Sequence, residues 1–275
     1  MALDKYKATW VSHSSISDFL KCPRLYFLNN VYKDPYTNHK ICLTNPYLSL
    51  GQAVHEVVES LSTIPVDLRF KESLLGKFDQ VWESVSGLKG GFKNDDEENL
   101  FKQRGRVMLQ RVMDNPGPLL NKAIKIKGEL PSYYLSEDEE IILCGKIDWL
   151  EYIEKDDSIH IIDFKTGKVE ESDDSLQLSI YDLITNNCQT RKVSKASYWY
   201  LERDNGLVSK ELPPIELSYN KVFEIAKEIK KAKTENNFKC KDDGCFACRD
   251  LERVVNGEGK MVGVSGYNKD VYVLD

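Results

Sequence analysis

Residues 140–167 read EIILCGKIDWLEYIEKDDSIHIIDFKTG. Apolar residues run through both halves, and the polar EKDDS between them is a turn signal, so strands are expected over 140–153 and 158–167. A two-residue loop at Asp156-Asp157, or a four-residue loop spanning Lys155 to Ser158, gives the same pairing, with Asp148 opposite Lys165. Opposed residues share a face, and Asp163, two before Lys165, is on it too. Two carboxylates brought together repel unless a cation lies between them. Paired hard oxygen ligands suit Mg²⁺ or Mn²⁺, and a lysine beside such a metal suits phosphodiester hydrolysis. The plainer alternative is a surface ion pair at a solvated strand end.

Working outward, IKIKGELPSYYLS (124–136) and KASYWYLER (195–203) read as further strands, SLQLSIYDLI (175–184) and the segment 219–237 as helices. Upstream, helical spacing recurs over 12–28, 50–61, 71–85 and 98–114, with a loop over 33–48. The order implies a mixed α/β or α+β fold in one domain spanning 1–275, a central mixed sheet flanked by helices. Within it, 1–120 form a mainly helical lobe, 121–237 the core, and 238–275 a cysteine-rich tail.

The net charge of −6 does not favour a nucleic-acid binder, although it constrains a local patch weakly. The acidic runs 95–98, 137–140 and 170–174 are expected in loops. Basic runs, Lys122/Lys125/Lys127 and Lys227 to Lys233, are most simply solvated faces. No signal-like opening or membrane-length apolar run is present, so a cytoplasmic protein without membrane contact is expected. Seven cysteines without such an opening argue against a disulfide framework. Cys42, Cys144 and Cys188 read as packing residues. Cys240, Cys245 and Cys248 form C-x4-C-x2-C and ask for a metal, whose fourth ligand would be Cys22 in FLKCPRLYF.

Taken together, GKID, IIDFKTG and QLSIY, preceded by Gly51, His55 and Glu56 in a G-x-x-x-H-E pattern, resemble the PD-(D/E)XK nuclease superfamily, specifically its RecB-like exonuclease branch. The resemblance implies a restriction-endonuclease-like core. It implies that His55, Asp148, Asp163 and the Phe164 carbonyl hold Mg²⁺ or Mn²⁺, that Lys165 positions the attacking water, and that Gln177 and Tyr181 support the lysine or the DNA backbone. Members of the branch carry a [4Fe–4S] cluster on one N-terminal and three C-terminal cysteines, here Cys22, Cys240, Cys245 and Cys248. The tail departs from the commoner spacing, whose last position falls on Val254, and Zn²⁺ on the same thiolates is the alternative. The layout is similar to that of the stand-alone nucleases of CRISPR spacer acquisition, which implies an exonuclease acting on single-stranded DNA or DNA ends in spacer acquisition or repair. CRISPR integrase or helicase subunits are the implied partners. Tyr26, Phe27, Tyr198 and Trp199 are candidates for stacking bases, against core packing; His13, His39 and His160 read as packing residues. The rival reading is a non-catalytic DNA-binding subunit.

Overall fold

A computed structural model describes residues 4–126, 128 and 130–274; Lys127 of the basic run lies outside the described residues. The expected hairpin forms from β5 (Trp149–Ile153) and β6 (Ser158–Lys165), paired antiparallel with Trp149 opposite Ile162 and Ile153 opposite Ser158. That register differs by two residues from the expected one. Residues 154–157 make the loop as a 3₁₀ turn that ends with Asp157 in the left-handed region, φ 48°, where aspartate is tolerated. The Tyr152 hydroxyl donates to Asp157 (2.9 Å), and the Ser158 hydroxyl to Asp156 (2.7 Å), which releases Ser158 to the strand. A two-residue slip preserves side-chain parity. Extending the ladder therefore sets Asp148 across from Asp163 rather than Lys165, with all three still on one face.

A second difference lies at Gly145. The single strand expected over 140–153 breaks there into β4 (Ile141–Cys144) and β5, which belong to different sheets. A Cβ on Gly145 would lie 2.9 Å from the Cδ1 of Ile184 on α6 (Gln177–Cys188), so glycine lets the chain cross close to that helix without displacing the buried Ile184. β4 pairs with β1 (Thr9–Val11) and β3 (Ser132–Ser136). The central sheet is mixed, in the order β5-β6-β7-β8, with β7 (Lys192–Tyr200) parallel to β6 and β8 (Val208–Lys210) antiparallel to β7.

Alternation along β6 divides the core in two. Ile162 and Phe164, with Trp149 and Trp199, pack under α3 (Pro46–Ser60), α4 (Leu74–Trp82) and α5 (Asp95–Asp114). Ile159 and Ile161, with Tyr198 and Tyr200, pack under α6 and α7 (Ile215–Thr234). Asp163 and Lys165 continue the second series and so face α6. The acidic run 95–98, expected in a loop, is the first turn of α5 behind the Asn94 cap, where carboxylates meet the positive end of the helix dipole.

The segment expected as one helix over 12–28 breaks at Cys22-Pro23 into α1 (His13–Lys21) and α2 (Pro23–Tyr26), because the helix cannot supply an N–H at the proline. The expected loop over 33–48 contains β2 (Lys40–Leu43), and the tail is ordered as α8 (Phe246–Val255), β9 (Lys260–Val264) and β10 (Lys269–Val273). β10 pairs antiparallel with β9 and parallel with β2, joining the two ends of the chain. Asp270, fully buried, binds His39 Nδ1 (2.8 Å) and the Thr37 hydroxyl (2.5 Å) at that junction. Among the described residues no helix is long and apolar enough to cross a membrane.

Candidate active site and cysteine group

Beyond Trp149 the β5–β6 ladder stops, and a side chain continues it. Asp148 Oδ2 accepts from the backbone N–H of Phe164 (2.9 Å). Within an extended strand the N–H and C=O of one residue point to the same edge, so the Phe164 carbonyl also points to Asp148's edge. The Phe164 ring itself is buried on the opposite face. α6 presents Gln177, whose Nε2 donates to Asp163 Oδ1 (2.6 Å) and whose Oε1 accepts from Lys165 Nζ (2.5 Å). Tyr181, one turn on, accepts from the same Nε2 (3.1 Å). Lys165 Nζ also lies 2.9 Å from Asp163 Oδ2 and 3.2 Å from Glu171 Oε1.

From the other face α3 supplies His55, with Nδ1 3.2 Å from Glu59 Oε1 and 3.5 Å from Asp148 Oδ2. Glu59 Oε2 is held by Lys146 Nζ at 2.5 Å. Within α3, Gly51 lets the helix pass close to the turn after Lys165: a Cβ there would stand 3.3 Å from the Thr166 hydroxyl.

Burial and the neighbouring Asp148 charge push the Asp163 carboxyl up to about 7, against the opposing pull of Lys165 and His55. Burial alone would lower the Lys165 ammonium, but Asp163 and Glu171 hold it above its ordinary value. Burial would likewise lower His55, yet hydrogen bonds and charge from Asp148 and Glu59 outweigh it and raise the imidazole to about 10. The Tyr181 hydroxyl is pushed well up, by burial first and then by Asp163 and Asp148. Asp163 Oδ2 is buried and, despite the nearby Lys165 ammonium, has no hydrogen-bond donor aligned on it.

Such a site has more carboxylate than its lysines neutralise, and it fits a divalent cation. Donor atoms of His55, Glu59 and Asp148 lie within 4.8 Å of one another, and Asp163, with its orphaned oxygen, adjoins that set without belonging to it. Carboxylate oxygens with one imidazole suit Mg²⁺ or Mn²⁺.

The expected site residues His55, Asp148, Asp163, Phe164, Lys165, Gln177 and Tyr181 all line one cleft of about 360 Å³. Glu56 is exposed and lines a neighbouring cleft instead. Sequence reasoning missed Glu59, whose position four after His55 on one helix face was the available signal. It also missed Lys146, and Glu171, which lies in an acidic loop with no periodicity to mark it. His160 is a satisfied core residue, bonded to Glu151 (2.7 Å) and Ser197 (2.8 Å). His13 heads α1 close to the site, where burial and then the Lys165 charge push it down to about 4. Tyr26, Tyr198 and Trp199 are buried and closed to bases; Tyr198 instead lies beneath Lys165, 5.2 Å from ring centre to Nζ. Phe27 is half-buried and packs against Phe238.

At the joined chain ends the Sγ atoms of Cys22, Cys240, Cys245 and Cys248 lie within 4.8 Å of one another. Cys22 and Cys245 cap the starts of α2 and α8, and Cys248 lies in the first turn of α8. Backbone N–H groups of Gly244, Cys245 and Asp242 lower the Cys240 thiol to about 6, so it is the readiest thiolate. Cys240 is thus the fourth thiol of the group, and Val254 takes no part in it. Cys245 and Cys248 Sγ are 3.7 Å apart. Four converging thiols fit a thiophilic metal.

The PD-(D/E)XK nuclease superfamily model matches residues 10–250, a span that includes every motif of the candidate active site and both parts of the cysteine group. No curated protein matches the chain.

Proposed function

The chain belongs to the PD-(D/E)XK nuclease superfamily, and from that premise we propose that it is a metal-dependent DNA exonuclease of the RecB-like branch acting on single strands or ends. The observation that carries the reading is that Asp163 and Lys165 meet on one Gln177 amide while Asp148 bonds the Phe164 N–H between them. His55, Asp148, Asp163 and the Phe164 carbonyl would hold Mg²⁺ or Mn²⁺. Once bound, the ion supplies Lewis-acid charge at the scissile phosphate and lowers the pKa of a water. Lys165, fixed by Gln177 and Asp163, orients that water and holds positive charge where the phosphate becomes more negative. Gln177 fixes acid and lysine relative to each other, and Tyr181 fixes Gln177. His55 has to release its proton before it can serve as a ligand.

The cysteine group is a structural staple within one nuclease domain of 1–275. Its four thiolates would hold the [4Fe–4S] cluster of the branch, with one Zn²⁺ as the alternative. A role in CRISPR spacer acquisition or DNA repair, with integrase or helicase subunits, rests on the resemblance of the motifs alone.

Incubating the protein with 5′- and 3′-labelled single-stranded DNA and Mn²⁺ tests the reading. An exonuclease shortens the strand progressively from one labelled end. Internal cuts would make it an endonuclease, and intact DNA bound to the protein would favour the non-catalytic subunit.

A further inference from the structure

His55 and Asp148 face two clefts at once. On the Lys165 side lies the one described above; on the other, both residues line a larger cleft of about 780 Å³. α3 and the segment from Lys146 onward form one side of it, and the tip of the β9–β10 hairpin, Ser265 to Tyr267, forms the far wall. The two clefts meet at these two residues of the candidate site.

The larger cleft is polar in a particular way. Lys125 is exposed, and the Lys146 side chain is 65% exposed while its ammonium binds Glu59 (2.5 Å). The hydroxyls of Ser60, Ser62 and Thr63, also in its lining, donate to the Val57, Glu59 and Ser60 carbonyls (2.6, 2.6 and 2.8 Å), which leaves the lysines as its cationic donors. Two lysines in one cleft suit the phosphates of a nucleic-acid backbone. Opposite them the Tyr267 side chain stands 86% exposed. A lone exposed aromatic usually means nothing. This one, however, rides on a fixed platform. Ser265 N–H donates to Lys269 C=O (2.8 Å) and Asn268 N–H to Ser265 C=O (3.0 Å), and β10 is paired on both edges. β2, its parallel partner, leads through the Asn45 cap into α3, the helix that carries His55.

We propose that this cleft holds the single strand flanking the scissile phosphate, with the Tyr267 ring stacked on a base and Lys125 and Lys146 facing its phosphates. The proposal rests on the nuclease reading and extends it to a residue outside all its motifs. Stacking needs an open base face, which a duplex interior does not offer. The same residue would therefore select single strands.

The test measures binding of a fluorescein-labelled oligonucleotide in an Asp163→Asn background, which keeps the DNA whole. Tyr267→Ala should weaken binding between about fivefold and a hundredfold, the range for losing one stacked base. Tyr267→Phe should stay within about twofold, and a 2-aminopurine placed in the strand should be quenched by the parent but not by the alanine variant. Lys125→Gln should bind with a shallower dependence on salt, as loss of one phosphate contact requires. Equal affinity of Tyr267→Ala and parent, failure of Tyr267→Phe alongside the alanine, or an unchanged salt slope would each overturn the proposal. Should the wild type cleave DNA while Tyr267→Ala behaves as parent, only the stacking cleft falls. Should the wild type neither bind nor cleave, the nuclease reading falls with it.

Discussion

Gln177 joins the two halves of the catalytic argument, because its amide donates to Asp163 and accepts from Lys165. Glu59 does comparable work on α3, its Oε1 lying on the same His55 Nδ1 that Asp148 Oδ2 approaches. Partners behind a ligand orient it, and their loss commonly costs about 10–100-fold in metal affinity. Glu59→Gln is therefore expected to raise the Mn²⁺ needed for half-saturation by at least about tenfold, read by titration of the free-ion signal; an unchanged titration would remove Glu59 from the site. A different carboxylate lends itself to a pH test. Asp182 is buried on α6, and burial raises its carboxyl to about 6 although Asn186 donates to it. The folded protein then binds more protons than the unfolded chain between about pH 4 and 6, so stability falls as pH rises through that window. The cost at neutral pH is on the order of 2–3 kcal/mol. Asp182→Asn should melt higher than wild type at pH 7 and no higher at pH 4. Asp148, Asp163 and Lys165 were legible as one face from strand parity. Glu171 was not, since its approach to Lys165 depends on where a loop folds back.

At the scale of elements, local pattern was readable and long-range pairing was not. β6 carries Ile159, Ile161, Ile162 and Phe164 and was found; β2 and β10 are short, mixed in polarity, and partnered across most of the chain, so no local periodicity marked them. The hairpin register slipped by two because turn chemistry at Asp157 decides it, and parity alone protected the site. Helix packing gives a sharper test. Gly105 lies inside α5, where replacement by alanine gains about 1 kcal/mol of helix propensity in isolation. Here a Cβ would meet Phe78 Cζ at 2.3 Å, and Phe78 is fully buried with no room to turn aside. Overpacking of this kind costs roughly 1–3 kcal/mol and exceeds the propensity gain. Gly105→Ala should thus lower the urea midpoint of unfolding; a raised midpoint would mean that α4 and α5 separate easily.

Across the whole molecule, the chain ends are tied three times on one side: by β10 on β2, by the cysteine group, and by Arg24, which binds Glu252 from 228 residues away. A metal shared by Cys22 and the tail closes nearly the entire chain, which by analogy with a disulfide is worth about 5 kcal/mol. Anaerobically purified protein is expected to be brown with a four-iron cluster in each chain, and Cys22→Ser to lose both the colour and the higher melting temperature. Colourless protein with one zinc per chain would replace the cluster with a zinc site. The staple also anchors α8 and so the hairpin whose tip reaches the larger cleft, which connects the ends of the chain to the site at its middle. That site carries the central claim, and cleavage compared with binding tests it most directly. Lys165→Ala and Asp163→Asn should each reduce Mn²⁺-dependent cleavage of labelled single-stranded DNA by at least about a hundredfold while DNA binding stays within a fewfold of wild type. Wild-type cleavage rates in either variant would contradict the account.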